Sequence, residues 1–322
     1  MYLRKEAEEH LHFAETEPEP PEKVLMFKRL RSPGTTLNWV DVPIKQFRWE
    51  YLKPDFVITA DGQRRSGKST WIRAFMKNTR RYWSEAYVFT GSKVSNEYEN
   101  LVRNDLIFDN LETRTDGTGG MDMLLFLYYR NLERKKALQH SGKNDQNLNI
   151  LVIIEDLVAN EQSNAGFHHI PLFNKIAFNG RHAHICLVIT SQNIKGVPPA
   201  IKQNTDACVL FGVNNERTKK AVRESFMDSV RDDAELDVLL SFLYEVKWSS
   251  AVVMRNDPRK HPNEAIFMGV PGKTEKDFVL GDRQYWYGAE AQLYRTGFGH
   301  LLDLPPEEWG IETVTYKFNP ND

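Results

Sequence analysis

The residues with the clearest chemical potential lie together at Gly62-Gln63-Arg64-Arg65-Ser66-Gly67-Lys68-Ser69. The spacing Gly-x-x-x-x-Gly-Lys-Ser bends the chain so that successive backbone N–H groups converge on one place, where a lysine ammonium and a hydroxyl also arrive. Nucleotide phosphates suit such a cradle: the N–H groups surround the oxygens, Lys68 reaches the β- and γ-phosphates, and Ser69 offers its hydroxyl to Mg²⁺. The candidate nucleotide contacts are therefore Gly62, Gln63, Arg64, Arg65, Ser66, Gly67, Lys68, Ser69 and the adjoining Thr70.

A second constellation is Leu151-Val152-Ile153-Ile154-Glu155-Asp156, four apolar residues ending in two acids. A parallel strand buried on both faces gives such a run, and the carboxyl end of a strand is where open α/β sheets place ligands. One carboxylate can hold Mg²⁺ through its water shell while the other takes the proton of an attacking water. A third candidate is Gln192, at the end of the apolar run from His184 to Thr190. There an amide can orient the water or sense the γ-phosphate.

These groups need a scaffold. Phe56-Val57-Ile58-Thr59-Ala60 predicts a buried strand leading into the loop, and a helix is expected from the loop to about Tyr82. Ala86 to Thr90 predicts a second buried strand, completing a β-α-β unit. That unit lies between Lys68 and Glu155 in the chain, so its strand is expected to sit between the phosphate-loop strand and the acidic strand. Further strands are read at Ala207 to Phe211, Ser250 to Met254 and Ala265 to Met268. Helices are read at about Met121 to Gln139, Phe167 to Asn179, Asn215 to Phe226 and Val238 to Tyr244. Arg134-Lys135-Lys136 fall near the end of the first of these, where they suit the negative end of the helix dipole. Val24 to Lys28 and Val42 to Phe47 read as short strands covering one sheet edge, with a turn at Ser32-Pro33-Gly34. The fold class is α/β: a P-loop nucleoside triphosphatase with a mainly parallel sheet sandwiched by helices and an extra strand between the Walker A and Walker B strands.

The chain of 322 residues is long enough for one large α/β domain. Residues 1–23, rich in Glu and Pro, read as a flexible acidic arm, 24–270 as the P-loop domain, and 271–322 as a C-terminal extension. A net charge of -2 describes no basic tail, although Gly62 to Ser84 holds seven basic residues and no acidic one. Any polyanion must then be held by patches on the fold. Lys93 and Lys195, in loops at the carboxyl edge of the sheet, are the candidates. Cys186 and Cys208, each inside an apolar run, read as buried thiols of a reducing compartment. His168, His169, His182 and His184 lack a supporting carboxylate or cysteine, so hydrogen-bonded structural roles are expected of them. Tyr285-Trp286-Tyr287 is expected to pack, with stacking on bases as the alternative. The charged N-terminus and the absence of a long apolar stretch predict a soluble protein that is intracellular and not secreted, without a direct membrane segment.

The set Gly62-x-x-x-x-Gly67-Lys68-Ser69, Glu155-Asp156, Gly180-Arg181-His182 and Gln192 resembles the genome-packaging ATPases of large double-stranded DNA viruses, the poxvirus-type branch of the FtsK/HerA superfamily. The resemblance covers roughly Asp55 to Phe226. It implies that Lys68 and Ser69 bind ATP and Mg²⁺, that Glu155 stands at the metal-side acid, Asp156 at the catalytic-acid position, and Gln192 at the sensor. The superfamily generally has Asp first in the acidic pair, so base and metal ligand stay unassigned between Glu155 and Asp156. Implied as well are a homo-oligomeric ring, double-stranded DNA and capsid or portal/vertex proteins as partners, and a location in the virion or the host-cell cytoplasm. Two rival readings are a nucleotide kinase and an ATP-binding capsid-vertex protein that hydrolyses negligibly. Arg181 begins its strand at the edge opposite the nucleotide, roughly 17–20 Å away. It therefore cannot serve its own ATP, but in a ring it can face that of a neighbour; the alternative is an arginine that caps a helix or pairs with a surface acid.

Overall fold

The computed structural model describes residues 25–30, 39–90, 97–108, 120–142, 147–155, 171–213, 215–227, 230, 232–255, 265–270, 278–282 and 285–286. In chain order the elements are β1 (Leu25–Leu30), β2 (Trp39–Gln46), β3 (Val57–Gly62), α1 (Lys68–Thr79), β4 (Glu85–Thr90), β5 (Ile107–Phe108), α2 (Gly120–Ser141) and β6 (Ile150–Glu155). There follow α3 (Pro171–Asn179), β7 (Ile185–Ser191), α4 (Pro199–Asn204), β8 (Ala207–Phe211), α5 (Glu216–Phe226), α6 (Asp233–Leu243), β9 (Ser250–Met254) and β10 (Ile266–Gly269).

All the strands join one sheet in the order β1-β2-β10-β9-β8-β3-β7-β6-β4-β5. From β8 to β5 every pairing is parallel. The central strands β3, β4, β7 and β8 are buried at every position, as their continuous apolar runs require when both faces are covered. Past β8 the sheet becomes mixed: β9 is antiparallel to both β8 and β10, β10 is parallel to β2, and β1 closes an antiparallel pair with β2. The expected edge strands near residues 25 and 44 are thus present, while the turn at Ser32-Pro33-Gly34 lies outside the described residues.

The strand order corrects one expectation. A single strand does separate the phosphate-loop strand β3 from the acidic strand β6, but it is β7, which pairs with both. The strand over Ala86–Thr90, expected in that place, pairs with β6 on one side and β5 on the other. Gln192, at the end of β7, consequently stands directly beside the phosphate loop.

Helix α1 shows why the sequence folds this way locally. Trp71, Ile72, Phe75, Met76 and Thr79 recur at helical spacing and are all buried. Trp71 and Phe75 stack with ring centroids 5.7 Å apart, and Trp83 Nε1 donates to Thr79 Oγ1 at 3.0 Å, tying down the turn that follows. Helix α2 runs past the expected end to Ser141, so Arg134 does not serve its dipole. Arg134 instead reaches Glu85 at the start of β4, at 2.8 Å. The other oxygen of Glu85 pairs with the fully buried Arg130 and accepts from Tyr87 Oη at 2.6 Å.

The far edge of the sheet is covered by the chain's later residues. Leu280 N–H donates to Leu101 O and Asp282 N–H to Ser84 O, both at 2.8 Å. Tyr285, buried, donates its hydroxyl to Ala86 O at 2.6 Å, and its carbonyl accepts from Arg103 Nη1 at 2.8 Å. Tyr285 and Trp286 therefore pack, as expected; Tyr287 lies outside the described residues. Cys186 and Cys208 are fully buried in β7 and β8. Burial pushes the Cys208 thiol up to about 12, and that of Cys186 well above its ordinary range.

Candidate active site

The loop after β3 is shaped by two glycines for different reasons. A methyl group on Gly62 would lie 2.7 Å from Phe211 Cβ and Ser66 Oγ and 2.9 Å from Phe211 O, so only glycine fits where the loop leaves the sheet against β8. Gly67 has φ 107°, a conformation that side chains oppose, and directs the chain into α1. Arg65, with φ 63°, supplies the other left-handed turn. Helix α1 begins with no side-chain cap and no acidic residue in its first turn. Its leading N–H groups and the positive end of its dipole thus face the loop interior. The buried hydroxyl of Ser66 has no hydrogen-bond partner among the described residues. Lys68 curls back so that its ammonium donates to Gly62 O. Uncapped amides, an orphan hydroxyl and a lysine folded back across the loop are what a phosphate chain needs.

Beside this loop opens a cleft of about 370 Å³, lined by Asp61, Gly62 and Gln63 at the end of β3, Gln192, Asn193 and Lys195 after β7, and Phe211 to Val213, Asn215, Arg217 and Thr218 at and after the end of β8. Gln192 is exposed, and its neighbours fix it. Ser191 Oγ donates to the buried Asp61 carboxylate at 2.7 Å, Asn193 N–H donates to Ser191 Oγ at 2.9 Å, and Lys195 N–H donates to Asn193 Oδ1 at 3.1 Å. Asp61 and Ser191 are also register partners across the β3/β7 ladder. The turn carrying Gln192 is therefore pinned to the strand carrying the phosphate loop.

Residues 44–247 match the family described as Poxvirus A32 protein, well over half of the chain. This chain belongs to the poxvirus A32 protein family. A relative of 27% identity over 184 residues is the uncharacterized protein 015R of Frog virus 3 (isolate Goorha); the match covers 54% of this chain and 52% of that protein, about half the length of each. Among solved structures, the genome packaging NTPase B204 of Sulfolobus turreted icosahedral virus 2 in complex with AMPPCP is similar at 13% identity and a TM-score of 0.44, over 69% of this chain and all of that one. The pCW3 conjugation coupling protein TcpA with ATPgS is similar at 18% identity and a TM-score of 0.46, over 86% of this chain and 72% of that one. At such scores neither likeness bears on what this chain does.

In this A32-family chain the register also places the first acid. Ile154 pairs with Ile189 and Ala60 with Thr190, so Glu155, at the end of β6, is level with Thr190 and with Ala60, two residues before the end of β3. One intervening strand sets β6 roughly 10 Å to the side of β3. Asp156 lies outside the described residues, as do Lys93, His168 and His169.

Arg181 is placed where the sequence puts it. It is exposed in a tight 3-10 turn, Gly180–Ala183, before β7, and the seven residues of β7 separate it from Gln192, about 20 Å at strand rise. It lines a different cleft of about 250 Å³ with Asp55, Phe178, Asp206 and Arg255, at the starts of β3 and β8. Asp206 accepts from Val57 N–H at 2.8 Å, and burial raises its pKa despite that bond. His182 is exposed; His184, half-buried with φ 53°, turns the chain into β7, and burial lowers its pKa. Lys195 lines the phosphate-loop cleft itself, which sets it beside the nucleotide candidates. Sequence reasoning missed Asp61, Ser191 and Arg217. Asp61 carried the one legible signal, an acid standing in an apolar run immediately before the first glycine of the loop. Among the described residues, no helix is long and apolar enough to cross a membrane.

Proposed function

We propose that this chain is a motor ATPase that works as a homo-oligomeric ring and drives double-stranded viral DNA into a capsid. The observation that carries the reading is a cleft in which Gln192 meets Gly62 and Gln63, the start of the phosphate loop, in a chain of the poxvirus A32 family. ATP fits the cradle of Gly62 to Thr70, with Lys68 and the α1 amides on its phosphates. Gln192 orients the water that attacks the γ-phosphorus; the bond to the β,γ-bridging oxygen breaks, ADP leaves, and the water's proton passes to a carboxylate. Asp156 is assigned that proton, and Glu155 with Ser69 would hold Mg²⁺, which neutralises charge on the β- and γ-phosphates when bound. Arg181 of one subunit faces the ATP of the next and stabilises charge developing in phosphoryl transfer. DNA is gripped through its phosphates without sequence preference, so binding weakens steeply with salt. Capsid or portal/vertex proteins complete the assembly, in the virion or the host-cell cytoplasm.

The test is ATP hydrolysis with and without duplex DNA, measured alongside the assembly state. Turnover should rise with DNA, accompany a ring, and vanish in Lys68→Ala. Undiminished turnover in Lys68→Ala, or transfer of the γ-phosphate to an acceptor other than water, would refute the reading.

A further inference from the structure

The indole of Trp248 stands against the phosphate loop although no motif points to it. It lies in the turn between α6 and β9, and a methyl group on Gly67 would sit 3.5 Å from its Cε3 atom. The residue is 49% exposed. Its backbone has φ 68°, a left-handed conformation that is a genuine outlier for a bulky aromatic residue. The residue is too exposed to be a core side chain. The turn nevertheless holds it firmly: Ser249 Oγ lies 2.6 Å from both Leu243 O and Val246 O, and Ser249 N–H donates to Val246 O at 3.0 Å. Backbone strain held at an exposed aromatic beside the loop is an outlier from which a ligand role can be argued.

The side of the loop on which it stands identifies that ligand. Gln192 and the acidic strand β6 lie on the β7 side of β3, whereas Trp248 approaches from β9, beyond β8 on the other side. A triphosphate whose γ end faces Gln192 trails its nucleoside away from β7, toward Trp248. The indole already holds a π-face partner, the Lys247 ammonium 5.2 Å from its centroid, so a face is open to exchange for a flat aromatic group. We propose that Trp248 is the nucleobase platform of the site, stacking on the base of the bound nucleoside triphosphate. The proposal rests on the phosphate-loop reading and adds to it the group that distinguishes a nucleotide from a bare polyphosphate.

Equilibrium binding of ATP and of inorganic tripolyphosphate to the full chain tests it, with intrinsic fluorescence as a second readout. Trp248→Ala should weaken ATP on the order of 10- to 100-fold and leave tripolyphosphate unchanged, while Trp248→Phe keeps most of the ATP affinity. ATP should quench the fluorescence of the wild-type chain more than that of Trp248→Phe. Equal losses for both ligands would make Trp248 a prop for Gly67 and overturn the proposal; unaltered ATP affinity, or a loss confined to duplex DNA, would overturn it too. Those results leave the phosphate-loop reading standing, whereas wild-type chain that binds neither ligand sinks both.

Discussion

Replacing Glu85 by Gln removes one charge from a buried cluster and nothing from its volume. Burial by itself raises the pKa of Glu85, but Arg130 and Arg134, with help from the Tyr87 hydroxyl, outweigh it and hold the carboxyl at about 2. Against an ordinary value of 4.5, that depression corresponds to about 3 kcal/mol of stability at neutral pH. Because the folded value is the lower one, the contribution is complete above 4.5 and drains away as pH falls toward about 2. Glu85→Gln should therefore be less stable at pH 7 by about 3–5 kcal/mol, the usual result of leaving buried guanidinium groups without their anion. The gap should narrow below pH 4.5, since a protonated Glu85 is nearly an isostere of Gln. Urea unfolding of both proteins, followed by circular dichroism at a series of pH values from 7 to 3, reads the difference directly. A constant gap across the series, or none at pH 7, would refute the argument that the Glu85 charge balances the two arginines.

Gly62→Ala should abolish ATP binding and cost about 1–3 kcal/mol of stability, because the new methyl meets Phe211 backbone and Cβ at under 3.0 Å; calorimetric ATP titration and thermal unfolding check both halves. Arg181→Ala and Lys68→Ala are each expected to be inactive alone, and mixing them should restore part of the ATPase rate, since an intact Arg181 then faces an intact phosphate loop. A mixture that assembles and stays inactive, or an active Arg181→Ala protein, removes the neighbour-supplied arginine.

The strands of the parallel core were legible because two-sided burial writes itself as apolar runs, and the phosphate loop because its glycines answer local demands visible in spacing. Strand order was not legible in the same way. The stretch between Lys68 and Glu155 announces a β-α unit, but whether its strand inserts beside β3 or outside β6 depends on crossovers that no local pattern encodes. Arg134 failed for a related reason: its partner Glu85 is 49 residues away, whereas the dipole argument used only its own helix. Trp248 was silent because its place beside Gly67 is set across the fold, where a methyl group on Gly67 would lie 3.5 Å from the indole, and a single aromatic in a polar turn has no period to reveal it.

The position of β7 has a mechanical consequence. The strand is hydrogen-bonded to β3 along one side and β6 along the other, and all seven of its residues are buried. Such a rod can neither stretch nor bow without breaking two ladders at once. Its two tips are Gln192, beside the loop after β3, and the turn bearing Arg181, at the opposite rim. Moving one tip along the strand without the other would have to shear both ladders, so in the proposed ring the Gln192 end of a subunit and its Arg181 turn are expected to move together.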